Sequence, residues 1–151
     1  MSPSASSFLT AAPADLARAA ELLRQGACVA LPTETVYGLA ADATNPAAIA
    51  AIYAAKGRPS FNPLIVHVAD MEMAERIADW NAPARALATA FWPGALTLVL
   101  PLRDGAKVAT AVTAGLPTIA LRCPAHGVMR ALIGAVGRPL AAPSANLSGS
   151  I

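Results

Sequence analysis

The apolar residues of this chain come in short runs. "ACVALPT" (27–33), "LIVHVA" (64–69), "ALTLVLPL" (95–102), "TIALR" (118–122) and "PLAAP" (139–143) have the length of strands. Segments with helical spacing lie between them. Leu16, Ala19, Ala20 and Leu23 share one face of "PADLARAAELLRQG", and Ile49, Ile52 and Tyr53 form a stripe in "ATNPAAIAAIYAAKG". Punctuation agrees with that division. Asn45 followed by Pro46 opens a helix that Gly57 closes, Asp70 caps "MEMAERIADW", and Asn81 caps "APARALATAFW". A further helix is expected in "HGVMRALIGAVG", while "LPTETVYGLAAD" reads as a strand leading into a loop. Strands and helices that alternate without a strict repeat predict an α/β fold with a mixed central sheet.

The chain has 151 residues, enough for one domain with a substantial core, and shows no internal repeat or low-complexity linker. It is 56% hydrophobic and 13% charged, yet no run approaches the ~18 apolar residues of a membrane span. The start, "MSPSASSFLTAAPAD", has no basic segment followed by an apolar one, so no secretory signal is read there and the cytoplasm is the expected location. Cys28 and Cys123 belong to no metal-spaced cluster and are expected to be buried free thiols. A net charge of +2 is too weak to announce a nucleic-acid protein. Its distribution is uneven, however. All nine acidic residues lie at or before Asp104, and Lys107, Arg122, Arg130 and Arg138 follow without a carboxylate, which suits a half that faces an anion.

Several polar groups sit where a plain core would have none. Thr33, Thr35 and Tyr37 offer hydroxyls beside Gly38, either to a small polar substrate or to the backbone of a turn. In "KGRPSFNPL", Lys56 and Arg58 can converge on one anion only because the Gly/Pro loop is not helical; the alternative is two solvated cations. Asn62 adds a neutral donor and acceptor. His67 interrupts a strand interior on the same face as Ile65, either as a core histidine bonded to a carbonyl or as a group facing a cleft. A metal site that joins it to His126 is not expected. Thr118, Ala120 and Arg122 share one side of a strand, and an arginine there needs an anion, from a protein carboxylate or a ligand. Ser144, Asn146 and Ser148 follow the last strand and suit phosphate or ribose oxygens. No nucleophile elbow surrounds Ser144, so covalent catalysis is set aside.

Five motifs in order, "PTETVYGL", "KGRP..NPLIVHV", "WPGALTLVL", "TAGLPTIALRCPAH" and "PLAAPSANLSG", resemble the YrdC family, the L-threonylcarbamoyladenylate synthases of tRNA modification. The resemblance runs from about Arg24 to Gly149. It implies a single YrdC-like domain over 1–151, built on a twisted mixed sheet with flanking helices. It also implies a reaction in which L-threonine, bicarbonate and ATP give threonylcarbamoyl-AMP and pyrophosphate, a nucleotidyl transfer. A separate tRNA threonylcarbamoyl transferase complex then carries the group to N6 of adenosine 37. By the same resemblance Thr35, His67, Arg122 and Ala142 contact threonine. Lys56, Arg58, Asn62, Thr118, Ser144 and Asn146 serve ATP, with Lys56 and Arg58 as the catalytic cations and Mg2+ held mainly by the phosphates. Family domains continue past "SANLSG", so the C-terminal part of the domain is expected to be absent from a sequence ending at Ile151. Two other functions stay open at this point: an RNA-binding module with weak affinity for tRNA, and a carbamoyl-handling paralogue.

Overall fold

The computed structural model describes residues 13–32, 37–57 and 63–143. Five helices, α1 (Pro13–Arg24), α2 (Pro46–Lys56), α3 (Met71–Ile77), α4 (Ala82–Phe91) and α5 (Gly127–Val136), alternate with six strands. The strands are β1 (Val29–Pro32), β2 (Tyr37–Asp42), β3 (Ile65–His67), β4 (Thr97–Pro101), β5 (Thr118–Arg122) and β6 (Leu140–Ala142), with a 3-10 turn at Thr110–Thr113. They form one sheet in the order β1-β2-β6-β3-β5-β4. β3 and β5 run parallel and every other pairing is antiparallel, so the expected mixed sheet is observed.

The helix starts follow from local chemistry. Asn45 Oδ1 accepts from the amides of Ala47 (2.9 Å) and Ala48 (3.2 Å) ahead of Pro46. Asp70 Oδ1 accepts from Met73 N at 2.9 Å, and Asn81 Oδ1 from Ala84 N at 2.8 Å. Each satisfies an amide that the first turn leaves without a carbonyl. Gly57 ends α2 in the left-handed region (φ 62°), where a side chain is strained. Gly94 is required for space instead: a Cβ there would meet the Phe91 carbonyl oxygen at 2.4 Å.

Alternation along the strands gives the sheet two faces. On one, Ala41, Ala141, Val66, Leu121, Leu98, Leu100 and Ile119 pack with Ile49 and Ile52 of α2, Ala74 and Ile77 of α3 and Ala84 and Ala88 of α4 in one core. On the other, Val29, Leu31, Ala40 and Leu140 pack against Ala19, Ala20 and Leu23 of α1 and Leu132, Ile133 and Val136 of α5. That second core stops at β6. On the same face, Ile65, Thr97, Thr118, Ala120 and Arg122 of β3, β4 and β5 remain partly exposed, and Val99 is 65% exposed. Among the described residues, this half of the sheet is left open.

Two expectations need correction. "YGLAAD" is not a loop: Tyr37–Asp42 is β2, antiparallel to both β1 and β6. The acid-free C-terminal part also does not gather all its cations for a ligand. Arg138 pairs at 2.8 Å with Asp42, a fully buried carboxylate at the end of β2. That carboxylate also accepts from Thr44 N (2.8 Å) and Thr44 Oγ1 (2.6 Å), so the ion pair ties the first residues before β6 to β2.

Candidate functional site

The open half-face carries a polar row. His67 of β3 is in register with Arg122 of β5, and Arg122 with Thr97 of β4, so three side chains lie side by side across three strands. Leu140 of β6, in register with His67, closes the row under α5. One pair of residues along each strand comes a second, apolar row: Ala142, Ile65, Ala120 and Val99. Thr118 opens a third row beside Pro101. The sequence-derived candidates His67, Arg122, Ala142 and Thr118 thus come together on one surface, although they come from three separate stretches of chain.

Arg122 donates from Nε to Thr97 Oγ1 at 2.9 Å. No ion pair to it occurs among the described residues. A partly buried guanidinium with no facing carboxylate presents terminal N–H donors suited to two oxygens of one anion. His67 is 8% exposed, and its Nδ1 is buried without a hydrogen-bond partner among the described residues. Its Nδ1 therefore makes no bond to a described carbonyl. Burial, and then the Arg122 charge, push its pKa down to about 4, so the imidazole is neutral at physiological pH. A neutral ring beside a cation has an acceptor to offer and adds no repulsion.

Lys56 is the last residue of α2. Thr35, Arg58, Asn62, Ser144 and Asn146 lie outside the described residues. The described residues that flank them nevertheless share one location. The end of β1 (Pro32) pairs with the start of β2 (Tyr37), and the end of β6 (Ala142) with the start of β3 (Ile65), which pairs with Ala120 of β5. All these strand ends are at the same end of the sheet as Thr118. The described strand ends that adjoin the three motif segments therefore lie at one end of the sheet.

Thr97 was not singled out by the sequence. Its signal is a hydroxyl in an otherwise apolar strand, "LTLVL", at a position of the same alternation that places Val99 on the open side. The two thiols are structural. Cys28 Sγ faces Ala48 O at 3.8 Å and Cys123 Sγ faces Ala69 O at 3.6 Å; both are free and buried. Burial raises the pKa of each, so neither is a ready thiolate. No described helix is long and apolar enough to cross a membrane.

Among the described residues, then, the chain is an α/β protein whose mixed sheet is covered on half of one face and carries a partly buried arginine beside a buried histidine on the other half. A family model named Sua5_yciO_yrdC, described as "Telomere recombination", matches residues 21–151, and the chain belongs to that family. It is 56% identical over 136 residues to the threonylcarbamoyl-AMP synthase of Bacillus subtilis (strain 168), an alignment covering 89% of this chain and 39% of that protein. With the threonylcarbamoyl-AMP synthase of Pyrococcus abyssi it is 51% identical over 132 residues, 87% of this chain and 38% of the relative. The crystal structure of P. abyssi Sua5 complexed with L-threonine matches with a TM-score of 0.82 at 46% identity, over 93% of this chain and 41% of that one. The chain thus spans about two fifths of the length of these relatives.

Proposed function

We propose that this chain carries the threonine-binding and nucleotide-activating surface of a threonylcarbamoyl-AMP synthase. The observation that carries the proposal is Arg122, held on the open half-sheet beside a neutral His67 and facing no described carboxylate. Relatives more than 50% identical bear that enzyme's name, and a matching structure holds L-threonine.

In this reading the carboxylate of L-threonine pairs with Arg122, and His67 accepts a hydrogen bond from the substrate's amine or hydroxyl. Ala142 and the rest of its apolar row form the floor, and Thr35 completes the threonine side. Carbon dioxide formed from bicarbonate adds to the amine and gives an N-carboxy anion with loss of a proton; direct reaction with bicarbonate gives the same anion with loss of water. An oxygen of that anion attacks the α-phosphorus of ATP; the P–O bond to the β-phosphate breaks and pyrophosphate leaves with its electron pair. The chemistry needs two anions held in line with their charge offset, not a protein nucleophile. Lys56 and Arg58 supply the charge, with Asn62, Thr118, Ser144 and Asn146 on the nucleotide side. Mg2+ accompanies the nucleotide. Held mainly by the phosphate oxygens, it would offset the charge of the leaving group. The product would be consumed by the tRNA threonylcarbamoyl transferase complex for adenosine 37.

The test is pyrophosphate release from ATP by the purified chain, with L-threonine and bicarbonate supplied together and singly and L-serine as control. Release that requires both substrates is expected, together with calorimetric binding of L-threonine. Release that ignores threonine, or silence in both assays, overturns the proposal.

A further inference from the structure

Thr97 belongs to no motif position that the proposed reaction uses, yet it makes the one described side-chain hydrogen bond of Arg122. The contact is built into the sheet. Thr97 and Arg122 are register partners on β4 and β5, and both point to the open face. Threonine is β-branched and has few accessible rotamers, so its hydroxyl is a stiff acceptor, whereas a free arginine side chain samples many. A guanidinium can grip a carboxylate from the side, through Nε and one Nη, or from the end, through both Nη groups. With Nε–H given to Thr97 Oγ1 at 2.9 Å, the side grip is taken.

We propose that Thr97 is a positioning residue: it holds Arg122 so that the terminal Nη1/Nη2 fork is committed to the substrate carboxylate. The inference rests on the threonine-binding reading above. On the far side of Arg122 the His67 ring is neutral and does not push the fork away, so Thr97 alone among the described residues sets its direction. The ligand then meets a pre-oriented fork and does not have to order a four-carbon-long side chain on arrival.

The experiment compares wild type, Thr97→Val and Thr97→Ser. L-threonine affinity is measured by calorimetry, and solvent exchange of the Arg122 Nε–H is followed by NMR without ligand. Thr97→Val is expected to weaken L-threonine binding about tenfold, the usual scale for a hydrogen bond to a charged group. ATP affinity and the unfolding midpoint stay near wild type, Thr97→Ser recovers most of the loss, and Nε–H protection disappears only in the valine variant. Wild-type threonine affinity in Thr97→Val, or unchanged Nε–H protection, overturns the inference. If wild type itself binds no L-threonine, the reading beneath it fails, while the exchange measurement still decides whether Thr97 holds Arg122.

Discussion

His67 shows how one residue links burial, charge state and stability. Its unfolded pKa of 6.5 falls to about 4 in the folded chain because the buried ring, next to Arg122, resists protonation. Between those values the unfolded chain binds more protons than the folded one, so stability falls as pH drops. Above about 6.5 the group contributes no pH dependence, and the loss by pH 4 amounts to roughly 3 kcal/mol. Urea unfolding of wild type and His67→Gln from pH 7 to 4 checks this: the wild-type midpoint declines more steeply than that of the variant. Parallel slopes would show that His67 is not held neutral. The sequence marked this residue as out of place in a strand, but whether a carbonyl satisfied it depended on neighbours from β5 and β6, which alternation along β3 cannot reveal.

At the scale of elements, the buried Asp42 and the exposed Arg138 form a clasp between β2 and the residues leading into β6. Arg138 is 45% exposed on its side chain and would ordinarily be dismissed as a surface charge. Its removal strands a fully buried carboxylate, however, and Arg138→Ala is expected to destabilise by about 1–3 kcal/mol even after allowance for screening. Chemical denaturation measures it, and an unchanged midpoint would mean that solvent replaces the guanidinium. The helices were legible in the sequence because their signals are local: Asn45, Asp70 and Asn81 each bond an amide two or three residues away. β2 was not legible, because "YGLAAD" fills a strand with glycine and alanine and its stability comes from partners on both sides. Thr97 escaped notice for a similar reason, since its bond to Arg122 exists only once β4 lies beside β5.

For the whole molecule, the second sheet face differs from side to side: one half is packed under α1 and α5, and the other is left bare by the described residues. Substitutions in the two halves are expected to have opposite consequences. Leu132→Ala, in the covered half, removes a fully buried side chain and costs about 2–5 kcal/mol. Ala120→Leu, in the bare half, adds bulk over open space, leaves the unfolding midpoint within about 1 kcal/mol of wild type, and abolishes L-threonine binding by filling the apolar floor. Paired denaturation and calorimetry decide it; a strongly destabilised Ala120→Leu would mean that the half-face is packed after all. The parallel pairing at the centre of the bare half also bears on how the chain folds. His67 and Arg122 meet across the only parallel pair among the described strands, and α3, α4 and β4 lie between them in sequence. Closing so long a loop is slow in comparison with making a hairpin such as β1-β2. The polar row is thus assembled from contacts distant along the chain, and a ligand seated there would act as a cross-link that the unfolded protein cannot use, raising resistance to unfolding in proportion to the logarithm of its concentration.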